Sequence, residues 1–413
     1  MSSRTGDSTA WIVWVLASLF SLFQFFLQVA SSMMTQQYAQ AFHLSHAGVG
    51  FLSSVFFYTY VLVQVPAGLF LDHFNVRKVL LTAIFIMAIG CVLFGWAPTL
   101  SVAIFARILM GLGGGFAFVG MVFISAERFP RAMFAFLVGL GEFVGMFGSA
   151  LGVHFVPYII TSYGWRMVMV GSGVSALVLF GLMWLLLKDC PHRVHHQDPL
   201  WATIWVRIKR VAPNPVPWLS GLVCCGMFAV ISAFASLWGV PFLQHTYHFD
   251  YYTATSAMAF ALFGMAVGGP LIGAISARLH TPRLFMFFCC LMALLFALIL
   301  ITAGPYEKGL SQVLLFMMGF FASSYVLAFA LVEQHCKPEL KGTGIGICNM
   351  MALMGAIFLQ PLTGVLLTHF KTIQLPVAES FRYGVMVLPG VMVVALLAVI
   401  ALSFLKQSGH ESA

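Results

Sequence analysis

The sequence predicts an all-α membrane protein whose twelve transmembrane helices form two pseudo-symmetric six-helix bundles. Composition, the length of the apolar runs and an internal repeat carry this expectation. Of 413 residues, 61% are apolar and 8% charged, where a soluble domain carries about a quarter charged. So few charges cannot coat a water-facing surface of this size, whereas lipid solvates apolar faces directly. The apolar runs are roughly 20–27 residues long and lack period-2 alternation, which is the signature of membrane helices rather than of barrel strands.

Read between charge, Pro, Gly and Asn breaks, the spans lie near 11–38, 47–71, 79–97, 99–125, 132–158, 166–187, 216–244, 252–277, 284–303, 309–332, 342–368 and 383–405. The first apolar segment runs on into a full span with no small-residue cleavage site, so no removable leader is expected. Lys and Arg placement sets the orientation. With the N-terminus inside, Arg4, Arg77, Lys78, Arg128, Arg131, Lys188, Arg193, Arg207, Lys209, Arg210, Arg278, Arg283, Lys337, Lys341 and Lys406 are cytoplasmic, fifteen of the twenty basic residues. Arg166, Lys308, Lys371 and Arg382 fall outside, and Arg107 lies within a span. Both termini are therefore expected in the cytoplasm of an inner-membrane protein. The net charge of +8 reads as a topology signal, with no nucleic-acid partner required. Six of the eight cysteines lie in spans and two, Cys190 and Cys336, in cytoplasmic loops. They read as small apolar packers, and neither a metal nor a cofactor is expected.

An offset of about 205 residues relates the two halves. Phe42-His43-Leu44-Ser45 before span 2 matches Tyr247-His248-Phe249-Asp250 before span 8, and Ser45 and Asp250 are natural helix N-caps. Gly68-x-x-x-Asp72-His73 matches Gly273-x-x-x-Ala277-Arg278, Glu127 matches Glu333, and Glu142 falls opposite Asn349. The expected domains are residues 1–187, a six-helix bundle, and 216–413, its copy. Between them, 188–215 is a cytoplasmic linker whose Trp201, Ile204, Trp205 and Ile208 line one face of a helix lying in the headgroup region. His192, His195 and His196 belong to that solvated linker.

Loop 2–3, Gly68-Leu-Phe-Leu-Asp72-His73-Phe-Asn75-Val-Arg77-Lys78, resembles the major facilitator signature G-x-x-x-D-[RK]-x-G-x-R-[RK]. Arg107-x-x-x-Gly111-x-Gly113, Glu127-Arg128-Phe129-Pro130 and Gly164-Trp165-Arg166 are similar to further segments of that family. The resemblance covers essentially the whole chain and implies the major facilitator fold. It also implies a cytoplasmic latch built from Gly68, Asp72, Arg77, Lys78, Glu127, Arg128 and Glu333. Here His73 and Asn75 stand where the family has a basic residue and Gly, and Asn tolerates the left-handed backbone such a turn needs. The second copy has Ala277 in place of the acid, so the latch should be asymmetric. Span 1 through Met34 and span 11 from Asn349 to Gly364 look like a bacterial branch containing phagosomal nutrient transporters and prokaryotic relatives of the lysosomal dipeptide carrier. Members of that branch often carry Arg where this chain has Gln28.

Charges inside a bilayer cost about 2.5–3.5 kcal/mol each on insertion scales, so they are functional suspects. Arg107 lies roughly 12 Å below the outer end of span 4 and Glu142 roughly 15 Å above the inner end of span 5, both near mid-membrane. In one reading Glu142 exchanges a proton and Arg107 attracts the solute. In the other they form a permanent ion pair pinning spans 4 and 5. Further proton-coupling or solute candidates are Gln24, Gln28, Tyr58, Tyr60, Gln64, Trp238, Tyr325 and Asn349, with Ser232 and Ser236 beside them. His43, His154 and His248 are expected at the outer surface.

The sequence therefore points to a secondary active transporter that moves a small polar organic solute, such as an amino acid or small peptide, by alternating access with proton-coupled uptake. Its expected partners are the solute, protons and the lipid bilayer, and it is expected to act as a monomer. No nucleotide-binding loop or intramembrane catalytic cluster occurs, so an enzyme is not expected. Efflux by proton antiport is the nearer alternative, weakened because Met146 rather than Pro follows Gly145. A membrane-embedded sensor without transport is the alternative from another class. Gly141-x-x-x-Gly145 and Gly148-x-x-x-Gly152 predict a close helix approach at span 5.

Overall fold

The computed structural model describes residues 8–30, 34–44, 46–187, 206, 209–279 and 281–405. Among these residues all regular structure is helical, and twelve helices are long and apolar enough to cross a membrane. In order they are Thr9–Gln28, Phe51–His73, Val76–Gly95, Leu100–Arg128, Arg131–Ser149, Ser162–Leu186, Pro215–Tyr247, Thr253–Ser276, Pro282–Ala303, Lys308–His335, Lys341–Thr372 and Val377–Phe404, hereafter spans 1 to 12. Their outward faces are apolar: Phe404 is 82%, Leu62 75% and Leu185 69% exposed, a surface suited to lipid and unsuited to water.

Two expected boundaries are corrected. The run 11–38 is described as two helices, Ser8–Ala30 and Thr35–Phe42, on either side of residues that are not described. That second piece, TQQYAQAF, is too polar to continue a membrane span. Span 12 starts earlier than expected, with an amphipathic turn-rich helix Val377–Val385 bearing Glu379 and Arg382 ahead of the apolar Val387–Phe404. The expected left-handed turn at Asn75 is also absent. Asn75 is extended (φ −61°, ψ 118°) and caps span 3 by accepting the Arg77 N–H at 2.9 Å. Asp250 caps span 8 as expected, accepting from Thr253 N. Ser45, Ser31 to Met33, residues 188–205 and 207–208 of the linker with its histidines, tryptophans and Cys190, and the charges of Arg4, Lys188, Arg193, Arg207 and Lys406 lie outside the described residues, as does the side chain of His154.

The repeat is visible in the backbone. His43 (φ 50°) and His248 (φ 57°), matched at an offset of 205, are both left-handed, and both side chains are exposed. Gly164 (φ 78°) marks a kink near the start of span 6, and Gln374 (φ 58°) the turn that precedes span 12. These four are the left-handed residues among those described. Four arginines repeat as well. Arg77, at the start of span 3, donates to the carbonyl of Trp184 near the end of span 6 (2.6 Å). Arg283, at the start of span 9, donates to the carbonyl of Leu405 after span 12 (2.9 Å). At the opposite ends Arg166 donates to the carbonyls of Gly95 and Ala97 (3.2 and 2.9 Å), and Arg382 to that of Gly304 (2.5 Å). Each cation satisfies carbonyls left without partners where a helix ends.

The chain packs as two compact units. The first comprises Met1–Arg131, Val144–Val211 and Lys337–Gly346, and the second Ala132–Phe143, Ala212–Cys336 and Ile347–Ala413. Each thus follows one half of the sequence but includes the end of a helix from the other half. In the first unit span 4 is the most buried helix, and Trp14 of span 1 donates to Ser125 of span 4 at 2.9 Å. Gly145 and Gly148 lie directly on Phe25 and Leu22 of span 1, the close approach that their spacing predicted.

Candidate functional site

Within the first unit, Arg107 is 1% exposed in span 4. Its guanidinium lies 4.7 Å from the Phe94 ring centroid and 5.7 Å from that of Tyr38. Tyr38 comes from the short helix after span 1 and packs edge-on against Phe94 and Trp165 (5.2 and 5.1 Å). The ring faces attract the cation, but they satisfy no N–H, and Arg107 Nε and Nη2 have no hydrogen-bond partner. A guanidinium stays charged under all ordinary conditions, so this arrangement is built to accept an anion or water. Lower in the unit, Gln24 of span 1 is fully buried beside Gly114 of span 4, with both amide atoms unpartnered, as are the hydroxyls of Ser18 and Ser21 on the same helix. A buried amide left unpaired costs about 1–3 kcal/mol, so these groups are open to water or a solute as partner.

The same unit holds the latch segment. Asp72 Oδ1 accepts from Gly342 N at 2.7 Å, and Oδ2 from Thr343 N and Thr343 Oγ1 at 2.8 and 2.7 Å. The carboxylate therefore caps the N-terminus of span 11, where N–H groups point outward and the helix dipole favours negative charge. Gly68 permits this because any Cβ there would overlap the Gly342 carbonyl. Arg77 is spent on span 6, as described, and Lys78 is exposed. Glu127 and Arg128 are half-buried at the end of span 4, and Glu333 is buried in span 10.

In the second unit the principal charge is Glu142, 4% exposed in the part of span 5 that packs with this unit. The Tyr325 hydroxyl of span 10 lies close enough to interact with its carboxyl. No hydrogen bond of ordinary geometry joins them: Glu142 Oε2 and the Tyr325 hydroxyl are both unpartnered. Tyr325 opens the second segment of span 10, just after the break at Ser323 and Ser324, and stacks edge-on with Phe228 of span 7 at 5.5 Å. Beneath it Cys224 Sγ and Cys348 Sγ meet at 3.3 Å. Trp238 donates its indole N–H to the Gln360 carbonyl at 3.1 Å, while Gln360 Nε2 donates to the Ser232 carbonyl and to Ser236 Oγ at 2.6 and 3.0 Å.

The sequence matches the Major Facilitator Superfamily over residues 14–325. The chain belongs to the major facilitator superfamily. A superfamily structure, the transporter FucP in the outward conformation, superposes with a TM-score of 0.71 at 16% identity, covering 95% of this chain and 99% of that one. Among curated relatives, "Uncharacterized transporter YybO" of Bacillus subtilis is 23% identical over 64% of this chain, which spans 65% of YybO. "Probable anion transporter 5" of Arabidopsis thaliana is 23% identical over 86% of this chain and 87% of its own length. "Membrane sensor protein UhpC" of Escherichia coli is 24% identical over 76% of each. The superfamily and its structural neighbours are transporters, so the protein is not an enzyme.

The superfamily fold sorts the sequence candidates. Arg107, Glu142, Gln24 and Tyr325 are buried with polar atoms unpartnered. Tyr60 and Gln64 are buried, and Gln64 Nε2 donates to the Tyr60 carbonyl on its own helix at 3.2 Å. Asn349 is buried and Gln28 half-buried. Tyr58 is 49% exposed, on the same face as Phe51 and Leu62, so it does not share the buried setting of the others. Arg107 and Glu142 fall in different units, and the neighbours described for each lie in its own. Sequence reading missed Gln360, the aromatic surround of Arg107 and the capped Gly342-Thr343 pair. Gln360 precedes a proline in a membrane helix, a visible signal, but its partners lie about 125 residues away in the chain.

Proposed function

We propose that the protein is a secondary active transporter that takes up a small polar organic solute by alternating access, with protons as coupling ion. It would be a monomer in an inner membrane with both termini in the cytoplasm. The observation that carries this reading is the Glu142 carboxyl, buried in a membrane helix with one oxygen unpartnered and the Tyr325 hydroxyl beside it. Such a group binds and releases a proton as its surroundings open and close. Arg107, with unpartnered N–H groups among aromatic rings, favours an anionic group on the solute, and the name of the Arabidopsis relative supports that choice. Amino acids and small peptides, which carry a carboxylate, remain within this class.

In the alternative reading the protein is a sensor that binds a solute without moving it, favoured by the name of the UhpC relative. Proteoliposomes offered amino acids, dipeptides and small organic acids under an imposed pH gradient separate the two. Accumulation by the wild-type protein supports transport, and binding without accumulation supports the sensor. Glu142→Gln, fixed in the neutral form, should still exchange solute down its gradient while losing gradient-driven accumulation. A well-folded Glu142→Gln protein that accumulates solute with wild-type pH dependence would sink the proton-carrier role.

A further inference from the structure

Span 7 is not one α-helix. Pro215–Ala229 is α-helical, Val230–Trp238 winds as a π-helix, and Gly239–Tyr247 is α-helical again. A π-segment reaches back five residues instead of four and is rare, occurring mostly at functional sites. The nine residues VISAFASLW contain no proline or glycine, but Gly239 and Pro241 follow them, and Pro241 has no N–H to give the Leu237 carbonyl inside the segment. That missing bond permits the winding at one end without fixing its extent, which leaves a role for contacts from outside.

Gln360 of span 11 is the group that reaches it. Its Nε2 bonds both the Ser232 carbonyl and Ser236 Oγ, and Ser236 Oγ itself donates to the Ser232 carbonyl at 2.7 Å. Its own backbone carbonyl takes the Trp238 indole N–H. The indole lies across Gly364, one turn further along span 11, where a Cβ would come within 3.4 Å of the ring. One side chain on span 11 thus contacts the first turn, the second turn and, through its backbone, the last residue of the π-segment.

We infer that Gln360 is a positioning residue that sets the rotational register of span 7, and with it the face that Trp238 presents to solute. Each extra residue wound into such a segment turns everything beyond it by about 100° relative to an uninterrupted α-helix. Without the two donors of Gln360, the α-form regains its ordinary hydrogen bonds, the extra residue unwinds, and Trp238 rotates away from span 11. The consequence for solute choice rests on the transport reading; the register itself does not.

The test uses the full chain with native cysteines replaced by alanine and single cysteines placed in turn at positions 233 to 238. A charged, impermeant thiol reagent maps which positions meet water, with no solute present. In Gln360→Leu the pattern of reactive positions should shift by one residue along the chain, and in transport assays the ratio of KM values between solutes should change more than kcat. An unshifted pattern in the folded variant overturns the inference. Should Gln360→Leu not fold, Gln360→Met serves, since it keeps the length of the side chain but offers the Ser232 carbonyl no donor. The same shift is expected there, and its absence overturns the inference. A shift in a protein that transports nothing would leave the register intact and remove the transport reading.

Discussion

Replacing Asp72 by Asn tests the latch most directly. The carboxylate accepts three hydrogen bonds of 2.7–2.8 Å from Gly342 and Thr343, each of a charge-assisted kind worth about 1.5–3 kcal/mol. Asn keeps one acceptor oxygen. Its amide nitrogen would face either the Gly342 or the Thr343 N–H, donor against donor, and the charge that favours the helix N-terminus is lost. Because one bond survives and the Thr343 hydroxyl can rotate to accept, the net loss is about 2–4 kcal/mol, which is roughly 30- to 900-fold in an equilibrium constant. That loss falls on arrangements in which span 11 is capped by Asp72, and not on solute contacts. Hydrogen exchange at the Gly342 and Thr343 amides should therefore accelerate by a similar factor. Solute exchange in proteoliposomes should change in rate more than in affinity. Unchanged protection of those two amides, or lost affinity at an unchanged rate, would refute the reasoning.

The remaining predictions concern packing and buried charge. Gly139→Ala places a methyl group against the Gly269 backbone in the second unit and should cost about 1–3 kcal/mol by thermal unfolding; Gly171→Ala, which meets nothing within 4 Å, should be neutral or slightly stabilising. Arg77→Gln removes a donor to the Trp184 carbonyl, and Arg283→Gln a donor to the Leu405 carbonyl together with the contact to His335 Nε2, at a cost of about 1 kcal/mol for the first and somewhat more for the second. The acceptors lie in different halves of the chain, so the double variant should show the sum. Arg107→Met should leave the thermal midpoint unchanged or raise it, since an unpartnered buried charge is replaced by an apolar chain of similar length. The same variant should lose binding of anionic solutes, and a large drop in midpoint would show instead that Arg107 is a structural cation.

Much of the fold was legible because membrane helices are written locally. Run length, charge placement and repeat offset need no knowledge of distant contacts, and Asp250 and the paired His43 and His248 follow from residue type and spacing alone. The errors sit where chemistry competes with hydropathy. The segment Thr35–Phe42 is polar although aromatic residues nearby keep the average apolar, and Asn75 caps with its side chain rather than bending its backbone. The site was partly legible. Arg107 and Glu142 stand out as buried charges in any membrane reading, but the two rings against Arg107 come from separate segments. The π-segment went unread, because its own nine residues carry no proline or glycine and the Gln360 contacts to it come from more than a hundred positions away.

The four arginine clasps have a consequence for biogenesis. Arg77 meets Trp184 across 107 positions and Arg283 meets Leu405 across 122. Each six-span half is thus tied by an acceptor that leaves the ribosome after almost everything else in that half. A nascent first half must hold spans 3 to 5 in the membrane without the Arg77–Trp184 bond until span 6 arrives. All four clasps also join residues on the same side of the linker. A gene cut within the codons for 188–208 and expressed as two pieces would therefore keep every one of them, and each piece would carry its own means of closing.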